Sequence, residues 1–308
     1  MLTQQWSAFQ NLTSNNMLPI IFIHNQNSNY LPLSLWQARK SNPGSEVILI
    51  GDSYSAHFGF LVSHVNIKEY SKGASEFAKR FVNFSTNPHN FELICIQRWF
   101  ILKEFLIRNG IESCIYLDSD ILLYGDVTED ARRFSSFGMT IAGISGHSNF
   151  IKKTTTLSEF CGFLMESYKG PAEIEILKTK YARFRENHEE GGISDMTFFM
   201  EFKWLYPDKI LDIGVPLQNK LYDISMNYIE YVHNGHGIKS VRKAKNGSVY
   251  LRHNTEPLIK MQTLHFQGKT KVYMKKHMFS SSLAMNVLYY SNSSILFIQK
   301  VWRKIFRK

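Results

Sequence analysis

Short apolar runs that end in polar residues alternate along this chain with segments of helical spacing, and this alternation constrains the fold most. Leu18–His24 (LPIIFIH) is predicted to form a first buried strand, and Glu46–Ser53 (EVILIGDS) a second. Tyr30–Ser45, between them, is typical of a helix that is stopped by its Asn-Pro-Gly sequence. This order predicts an α/β fold with a mostly parallel, mixed central sheet flanked by helices.

The same order continues downstream. Asn87–Glu112 has apolar residues at helical spacing and contains an Asn-Gly pair typical of a helix C-terminus. Ser113–Val127 (SCIYLDSDILLYGDV) is predicted to be the next strand, and Gly138–Ser145 another. Because ligands of such sheets bind beyond the carboxyl ends of the strands, polar residues at those ends are the first candidates for a site.

Composition narrows the class of protein. The chain has 308 residues, 44% of them hydrophobic, which is enough for one large domain or two small ones. Its three cysteines, Cys95, Cys114 and Cys161, argue against a disulfide framework or a zinc site and favour a reducing compartment. We find no basic start followed by an apolar run, and no window of the roughly 20 apolar residues that a membrane-spanning helix needs. We therefore expect a cytoplasmic protein.

Two carboxylates, Asp118 and Asp120, lie one residue apart where the predicted strand leaves the core. Their repulsion and desolvation cost free energy unless a positive group sits between them. Residues i and i+2 of a strand point to the same face, so we expect both carboxylates to converge on one ion. Carboxylate oxygens suit Mg²⁺ or Mn²⁺. A solvated turn or a helix cap is the alternative, because Asp-X-Asp is frequent by chance.

A second candidate stretch, Thr263–Lys271 (TLHFQGKTK), lies far downstream. His265 could supply a nitrogen ligand, which favours Mn²⁺ over Mg²⁺. Gly268 has no side chain, so its backbone N–H could lie against a phosphate, and Lys271 could neutralise a diphosphate. Taken alone, the stretch is equally compatible with an ordinary basic loop.

Together, YLDSDILLYGDV and HFQGKTK resemble the Asp-X-Asp and His-X-X-Gly-X-X-Lys motifs of family 8-type glycosyltransferases with the GT-A fold, the group that includes lipopolysaccharide galactosyltransferases and glycogenin. The sequence departs from this pattern after Lys271, where Val272 and Tyr273 replace the usual Pro-Trp. The resemblance implies a GT-A-like single domain over residues 17–278. A polar leader (1–16) would precede it and a basic amphipathic tail (279–308) would follow it.

The resemblance also implies roles for the two motifs. Asp118, Asp120 and His265 would bind Mn²⁺, or alternatively Mg²⁺. Gly268 and Lys271 would hold the diphosphate of a nucleotide sugar.

Four further residues are implied on the donor and acceptor sides. Arg98 would contact the donor, and Asn25 and Asp52, at strand ends, would meet the nucleoside. Asp195, in the loop GGISD before a predicted helix, would position substrate hydroxyls and is the candidate catalytic residue. Ordinary structural roles stay open for all four: a surface arginine, two turn residues, and a helix cap formed by Ser194 or Asp195.

The implied activity is that of a hexosyltransferase. A sugar would pass, with retention of its anomeric configuration, from a nucleotide sugar (expected to be a UDP-sugar) to a hydroxyl of a glycan or lipid-linked acceptor. Positive charge in a preorganised site would stabilise the departing diphosphate. Two other classes stay open: a non-catalytic protein that binds an anionic surface, and a metal-dependent phosphatase, since some phosphatases use Asp-X-Asp after a strand.

Positive charge is concentrated towards the C-terminus. Residues 232–308 hold 15 lysines and arginines against one acid, a formal charge of +14, whereas the preceding residues carry −4. This asymmetry indicates an anionic partner. No basic motif with interleaved aromatic residues is present, so we do not expect nucleic acid to be that partner.

The last residues, 295–308, would sort into two faces if helical. We expect them to lie on an anionic membrane surface, at the inner face of the membrane, with packing on the protein's own domain as the alternative. The predicted apolar face holds Ile298, Val301, Trp302 and Ile305, and the basic face holds Lys300, Arg303, Lys304 and Arg307.

Overall fold

The computed structural model describes residues 17–187, 191–228, 231–252, 258–279 and 283–306. The predicted polar leader, 1–16, lies outside the described residues. So does the predicted sorting of apolar and basic side chains beyond Ile298.

Twelve strands and nine α-helices are formed by the described residues. The strands are β1 (Ile20–His24), β2 (Val47–Gly51), β3 (Ser63–Asn66), β4 (Cys114–Leu117), β5 (Ile121–Leu123), β6 (Met139–Ile141), β7 (Ser148–Ile151), β8 (Ile210–Asp212), β9 (Lys220–Tyr222), β10 (Val241–Lys243), β11 (Val249–Arg252) and β12 (Leu258–His265). The α-helices are α1 (Leu31–Ser41), α2 (Lys72–Ala78), α3 (His89–Arg108), α4 (Val127–Arg133), α5 (Thr154–Ser167), α6 (Pro171–Glu186), α7 (Asp195–Leu205), α8 (Met274–His277) and α9 (Leu283–Phe306). Short 3₁₀ helices cover Ala56–Phe60, Ile67–Tyr70 and Gly268–Tyr273.

The first sheet has seven strands in the order β3-β2-β1-β4-β7-β6-β8. β1 and β2 run parallel, with Ile20 opposite Val47 and His24 opposite Gly51. β6 is parallel to β8 and antiparallel to β7. The predicted α/β class, with a mostly parallel, mixed central sheet flanked by helices, is therefore confirmed.

A second sheet has five strands. Four of them follow the order β10-β11-β12-β5, and the fifth, β9, also pairs with β12. β10 and β11 form an antiparallel hairpin, as the Asn-Gly sequence between them predicts. Gly247 in this turn has a φ of +84°, in the left-handed region that glycine adopts most easily.

The chain divides into two compact units, each with its own core. The described part of unit 1 consists of Asn66–Tyr116 and Ala131–Asp212. Its core is rich in aromatic rings: Phe160 stacks on Phe199 with the ring centroids 4.2 Å apart, and Trp99 meets Phe199 edge-on.

Unit 2 consists of Asn16–Val65, Leu117–Asp130 and Ile213–Lys308. The apolar residues of β1 and β2 are buried in it. A cluster of buried side chains from the second sheet and the C-terminal helices, including Leu122, Met261 and Met285, forms the rest of its core.

Most predicted elements are observed. α1 ends at Ser41, and α3 ends at Arg108, followed by Gly110 with a φ of +63°. All three cysteines are free thiols; Cys114 and Cys161 are buried and Cys95 is partly exposed. None of the helices in the described ranges has the length and hydropathy to cross a lipid bilayer.

The prediction of one strand through Asp118 and Asp120 is wrong. β4 ends at Leu117, and the two aspartates lie in a turn closed by a 3.1 Å hydrogen bond from the Ile121 N–H to the Asp118 carbonyl. β5 then begins in the second sheet and pairs with β12. The apolar run is continuous in sequence because both short strands are buried, so the pattern could not reveal the change of sheet.

Candidate functional site

The turn from Asp118 to Asp120 lies where the chain leaves the first sheet. β1, which ends at His24, has β2 on one side and β4 on the other. In open α/β sheets, ligands bind outside the carboxyl ends of the strands where the strand order reverses in this way. His24 Nδ1 lies 2.8 Å from Oγ of Ser119, so a hydrogen bond joins the end of β1 to the turn.

β12 brings His265 to this turn. His265 is the last residue of the strand and pairs with Ile121, the first residue of β5. The backbone N–H of Phe266 donates to the carbonyl of Asp120 at 3.0 Å. As a result, His265 Nε2 lies 3.6 Å from Asp120 Oδ1. Two residues from the two distant motifs thus meet in one place.

The main chain holds the His265 ring in one orientation. Nδ1 lies 2.6 Å from the carbonyl oxygen of Ile224, and because a carbonyl only accepts, Nδ1 is the donor. In the neutral imidazole, Nε2 then presents its lone pair towards the Asp120 carboxylate. Proteins commonly orient metal-binding histidines by such a hydrogen bond to the other ring nitrogen.

A buried ion pair supports the backbone of His265. Asp223 and Lys239 are both fully buried, and the Lys239 ammonium donates to Oδ1 of Asp223. Oδ2 of Asp223 accepts the backbone N–H of His265 at 2.9 Å. On the other side, the N–H of Met226 donates to the His265 carbonyl at 2.8 Å. His265 is therefore held through its main chain as well as its ring.

Lys271 supplies a fixed positive charge. Its Nζ lies 3.1 Å from Oδ2 of Asp120 and 4.8 Å from the centroid of the Tyr30 ring. Burial lowers the pKa of Lys271, but the negative charge of Asp120, supported by Tyr30 and Asp118, outweighs burial and leaves the pKa above its ordinary value. Lys271 is therefore protonated at neutral pH.

Gly268 begins the 3₁₀ helix that carries Lys271. Its φ is +58°, in the left-handed region that favours glycine. A Cβ added there would meet no described atom within 4 Å, so the main chain is open on that side. A main chain without a side chain, close to a lysine, suits the close approach of an anion.

The donor set is suited to a hard or borderline divalent cation. Oδ1 of Asp120 and Nε2 of His265 face each other, and Asp118 lies close enough to act electrostatically on Lys271. Within the described ranges, no three His, Cys, Asp or Glu side chains come together closely enough to hold a metal ion. Mn²⁺ or Mg²⁺ would therefore need further oxygen ligands, of the kind that a diphosphate supplies.

Asn25 and Asp52 follow the two parallel strands β1 and β2. The Asp52 carboxylate accepts the N–H of Gln26 at 2.8 Å and the N–H of Tyr54 at 3.0 Å. It therefore shapes both loops at this edge of the sheet, including Gln26 with its φ of +71°. Asn25 is exposed beside it.

His24 is a further polar residue at this edge. Burial lowers its pKa to about 4, although the carboxylates of Asp52 and Asp118 oppose the shift; the Lys271 ammonium adds to it. His24 is consequently neutral at physiological pH.

In unit 1, Arg98 and Asp195 form a separate ion pair. Nη2 of Arg98 lies 2.7 Å from Oδ2 of Asp195, and the indole N–H of Trp99 donates to the same oxygen at 3.0 Å. Nη1 of Arg98 lies 3.3 Å from the hydroxyl of Tyr116. The side chains of Arg98 and Asp195 are only 13% and 4% exposed, so Arg98 is not an ordinary surface arginine.

Ser194, the residue before Asp195, caps α7. Its side chain accepts the N–H of Thr197, and the Thr197 hydroxyl accepts the N–H of Ser194, which is a complete capping box. The capping alternative is thus confirmed for Ser194. The Asp195 carboxylate is directed to Arg98 and Trp99 instead.

Unit 1 also contains a cavity of about 600 Å³ beside the first half of α7. This volume lies within the usual range of small-molecule sites. Its lining combines apolar side chains with charged ones, among them Phe184, Met196, Met200, Glu92 and Lys180.

Several residues of the site in unit 2 were missed by sequence analysis. The roles of Asp223, Ile224 and Lys239 depend on contacts between distant segments, and no local pattern marks them. His24 did carry a signal, since it is the polar end of a buried strand. Asp126 serves the fold, since its Oδ1 accepts two backbone N–H groups at the start of α4.

No protein-family model matches this chain, and no curated protein is significantly similar to it. The chemistry of the site is therefore inferred from its residues and their geometry.

Proposed function

We propose that this protein is a metal-dependent glycosyltransferase. It would move a sugar from a nucleotide sugar, in the first instance a UDP-sugar, to a hydroxyl of a glycan or lipid-linked acceptor. Retention of the anomeric configuration is part of the proposal and comes from the resemblance to family 8-type enzymes. The metal dependence and the nucleotide-sugar donor are inferred from the residues of the site.

One observation carries the proposal furthest: His265, whose Nδ1 is held by the Ile224 carbonyl, has Nε2 3.6 Å from Oδ1 of Asp120, while Lys271 Nζ lies 3.1 Å from the other oxygen. A lone pair and a carboxylate repel each other unless a cation or a proton lies between them. The site therefore combines donors for a divalent cation with a permanent ammonium group. A nucleoside diphosphate with its divalent cation matches this combination.

The proposed roles follow from charge. Asp120 and His265, with Asp118, would hold Mn²⁺ or Mg²⁺, which when bound supplies positive charge against the diphosphate leaving group. The Lys271 ammonium would bind a phosphate oxygen and stabilise the charge that develops as the sugar–phosphate bond breaks. The N–H of Gly268 would donate to the same group. Asn25 and Asp52, at the edge of the sheet, would meet the nucleoside.

Arg98 and Asp195 are proposed for the sugar side of the reaction on the strength of the resemblance. Their 2.7 Å ion pair supports a positioning role, because each side chain holds the other in one place. Asp195 stays the candidate for orienting substrate hydroxyls.

A direct test is the slow transfer of sugar to water. The protein would be incubated with UDP-glucose, UDP-galactose and UDP-N-acetylglucosamine in Mn²⁺, and both UDP and the anomer of the released sugar would be followed by NMR. We expect UDP release from one of these donors, with the α-anomer formed first. Asp120→Asn should slow release on the order of 100-fold or more, the range for removing one group that stabilises developing charge.

Asp126→Asn is the matched control, since Asp126 is an exposed carboxylate that caps α4. It should release UDP like the wild-type protein. If no nucleotide sugar is consumed, or if Asp120→Asn is as active as Asp126→Asn, the proposal is wrong. Turnover of p-nitrophenyl phosphate in Mg²⁺ without use of nucleotide sugars would favour the phosphatase alternative.

A further inference from the structure

α9 (Leu283–Phe306) has one face packed into unit 2. Met285, Leu288 and Leu296 are at most 8% exposed, and they recur at the spacing of one helix face. Met285 belongs to the buried core cluster of the second sheet. The helix is therefore part of the domain and is not a detached tail.

A buried polar residue fixes the rotation of α9. Asn292 is 1% exposed, and its Oδ1 accepts from the side-chain amide of Asn27 at 2.7 Å and lies 3.1 Å from Nε2 of His57. Its amide group donates to the carbonyl of Ser28 at 3.0 Å. Turning the helix would leave these buried groups without partners, which is unfavourable. The opposite face is consequently held outward.

This outward face is apolar. Five large side chains on it are 55–81% exposed: Leu283, Val287, Tyr290, Phe297 and Ile298. We call them the α9 stripe. They cover the first two-thirds of the helix, a length of about 22 Å at 1.5 Å per residue. Large exposed apolar side chains gathered on one face of a helix mark an interaction site in soluble proteins.

Positive charge accompanies the stripe. Lys275 Nζ lies 3.2 Å from the hydroxyl of Tyr290 and 4.3 Å from the centroid of its ring. The sequence of α9 has no charged residue before Lys300, and it then has Lys300, Arg303 and Lys304 within the helix. The C-terminal end as a whole carries +14 from residue 232 onward.

We propose that the α9 stripe is a docking surface for an anionic lipid bilayer, with α9 lying in the plane of the membrane. An interfacial helix needs an apolar face that enters the lipid and cations that meet anionic headgroups, and α9 offers both. A second copy of this chain is the less suitable partner, because it would bring another strongly positive end to the same surface. The docking face comprises residues 283–298 and so begins before the segment 295–308 that the sequence indicated.

Vesicle sedimentation tests this surface without any use of glycosyl transfer. The full-length protein would be sedimented with vesicles of phosphatidylcholine alone and of phosphatidylcholine with phosphatidylglycerol. We expect binding to the second kind, weakened by salt. Val287→Ser combined with Phe297→Ser should weaken it by ~10-fold or more, since two apolar side chains no longer enter the lipid.

Ile176→Ser is the matched control, because Ile176 is 55% exposed on α6 in unit 1. It should bind vesicles like the wild-type protein, and unfolding curves should show that all variants are folded. The proposal is overturned if wild type fails to bind the anionic vesicles, or if the stripe variant binds them as well as Ile176→Ser does. It is also overturned if the stripe variant converts a dimer into a monomer on gel filtration while vesicle binding is unchanged.

Discussion

The two charged clusters of this protein balance their charges in different ways. In unit 1, the Arg98–Asp195 pair is almost fully buried, and the carboxylate also accepts from Trp99. In unit 2, Asp120 has a lysine near one oxygen and a histidine nitrogen 3.6 Å from the other. In the first cluster, the carboxylate is neutralised by an arginine of the fold itself. The second is suited to an additional cation, and this is the property expected of a binding site.

The difference predicts where stability and function reside. Breaking a buried ion pair of the fold should cost stability. Changing a group at a partly exposed binding site should cost little stability, and should instead change what the protein binds.

The largest stability effect is expected for Arg98→Met. Removing one partner of a buried ion pair leaves the other uncompensated and typically costs 3–5 kcal/mol, so we expect a loss of about that size in the free energy of unfolding, measured with urea. Lys203→Met is the control in the same unit, since Lys203 and Asp212 are 3.4 Å apart and partly exposed. It should cost less than about 1 kcal/mol. Equal losses in both variants would show that the buried Arg98–Asp195 pair contributes no more to stability than a partly exposed ion pair.

The next effect is pH-dependent and concerns His277, a buried residue at the end of α8 in unit 2. Burial lowers the pKa of His277 to about 4, with the ammonium groups of Lys243 and Lys276 adding to the shift. Because the unfolded chain takes up this proton near pH 6.5, stability is full above that pH and falls as the pH drops towards 4, by up to about 3 kcal/mol. His277→Leu should flatten this part of the stability profile. An unchanged slope would mean that His277 does not titrate as inferred.

Glycine substitutions should give effects of opposite sign. Gly268→Ala should destabilise the protein by about 1 kcal/mol, because alanine is strained at a φ of +58° although there is space for its methyl group. Gly162→Ala should stabilise it by about 0.5–1 kcal/mol, since Gly162 lies in α5 with no described atom within 4 Å of the added Cβ. Thermal unfolding of both variants measures the contrast. If Gly268→Ala leaves the stability unchanged, the backbone conformation near Lys271 does not require a glycine.

The smallest stability effect is expected for Asp120→Asn. Lys271 is 31% exposed and Asp120 is 13% exposed, and an ion pair whose cation reaches solvent contributes only about 0–1 kcal/mol. Urea unfolding should therefore change by less than about 1 kcal/mol. A loss as large as that of Arg98→Met would mean that Asp120 serves the fold, and the comparison between the two clusters would fail.

The sequence predicted the elements better than their assembly. Strand ends at His24 and Gly51 could be located from apolar runs and the polar residues after them. The break between β4 and β5 could not, because both strands are buried and share one apolar run. β5 belongs to the second sheet because it pairs with β12, which lies far away in the sequence.

The candidate site shows the same limit. Asp118, Asp120, His265, Gly268 and Lys271 could be named from two motifs. The contacts that orient His265 could not be, because the Ile224 carbonyl and the Asp223–Lys239 pair have no local sequence signature. The outward face of α9 was also hidden, since a pattern shows two faces of a helix but not which of them packs.

Calorimetric titration of UDP with and without Mn²⁺ tests the central claim most directly. It would be carried out on the wild-type protein, on Asp120→Asn and on Asp126→Asn, whose carboxylate serves only the start of α4 in the contacts described above. The proposal predicts Mn²⁺-dependent binding of UDP by the wild-type protein and by Asp126→Asn, and its loss in Asp120→Asn. Binding that does not depend on Mn²⁺, or that survives in Asp120→Asn, would contradict a metal-assisted diphosphate site at this turn.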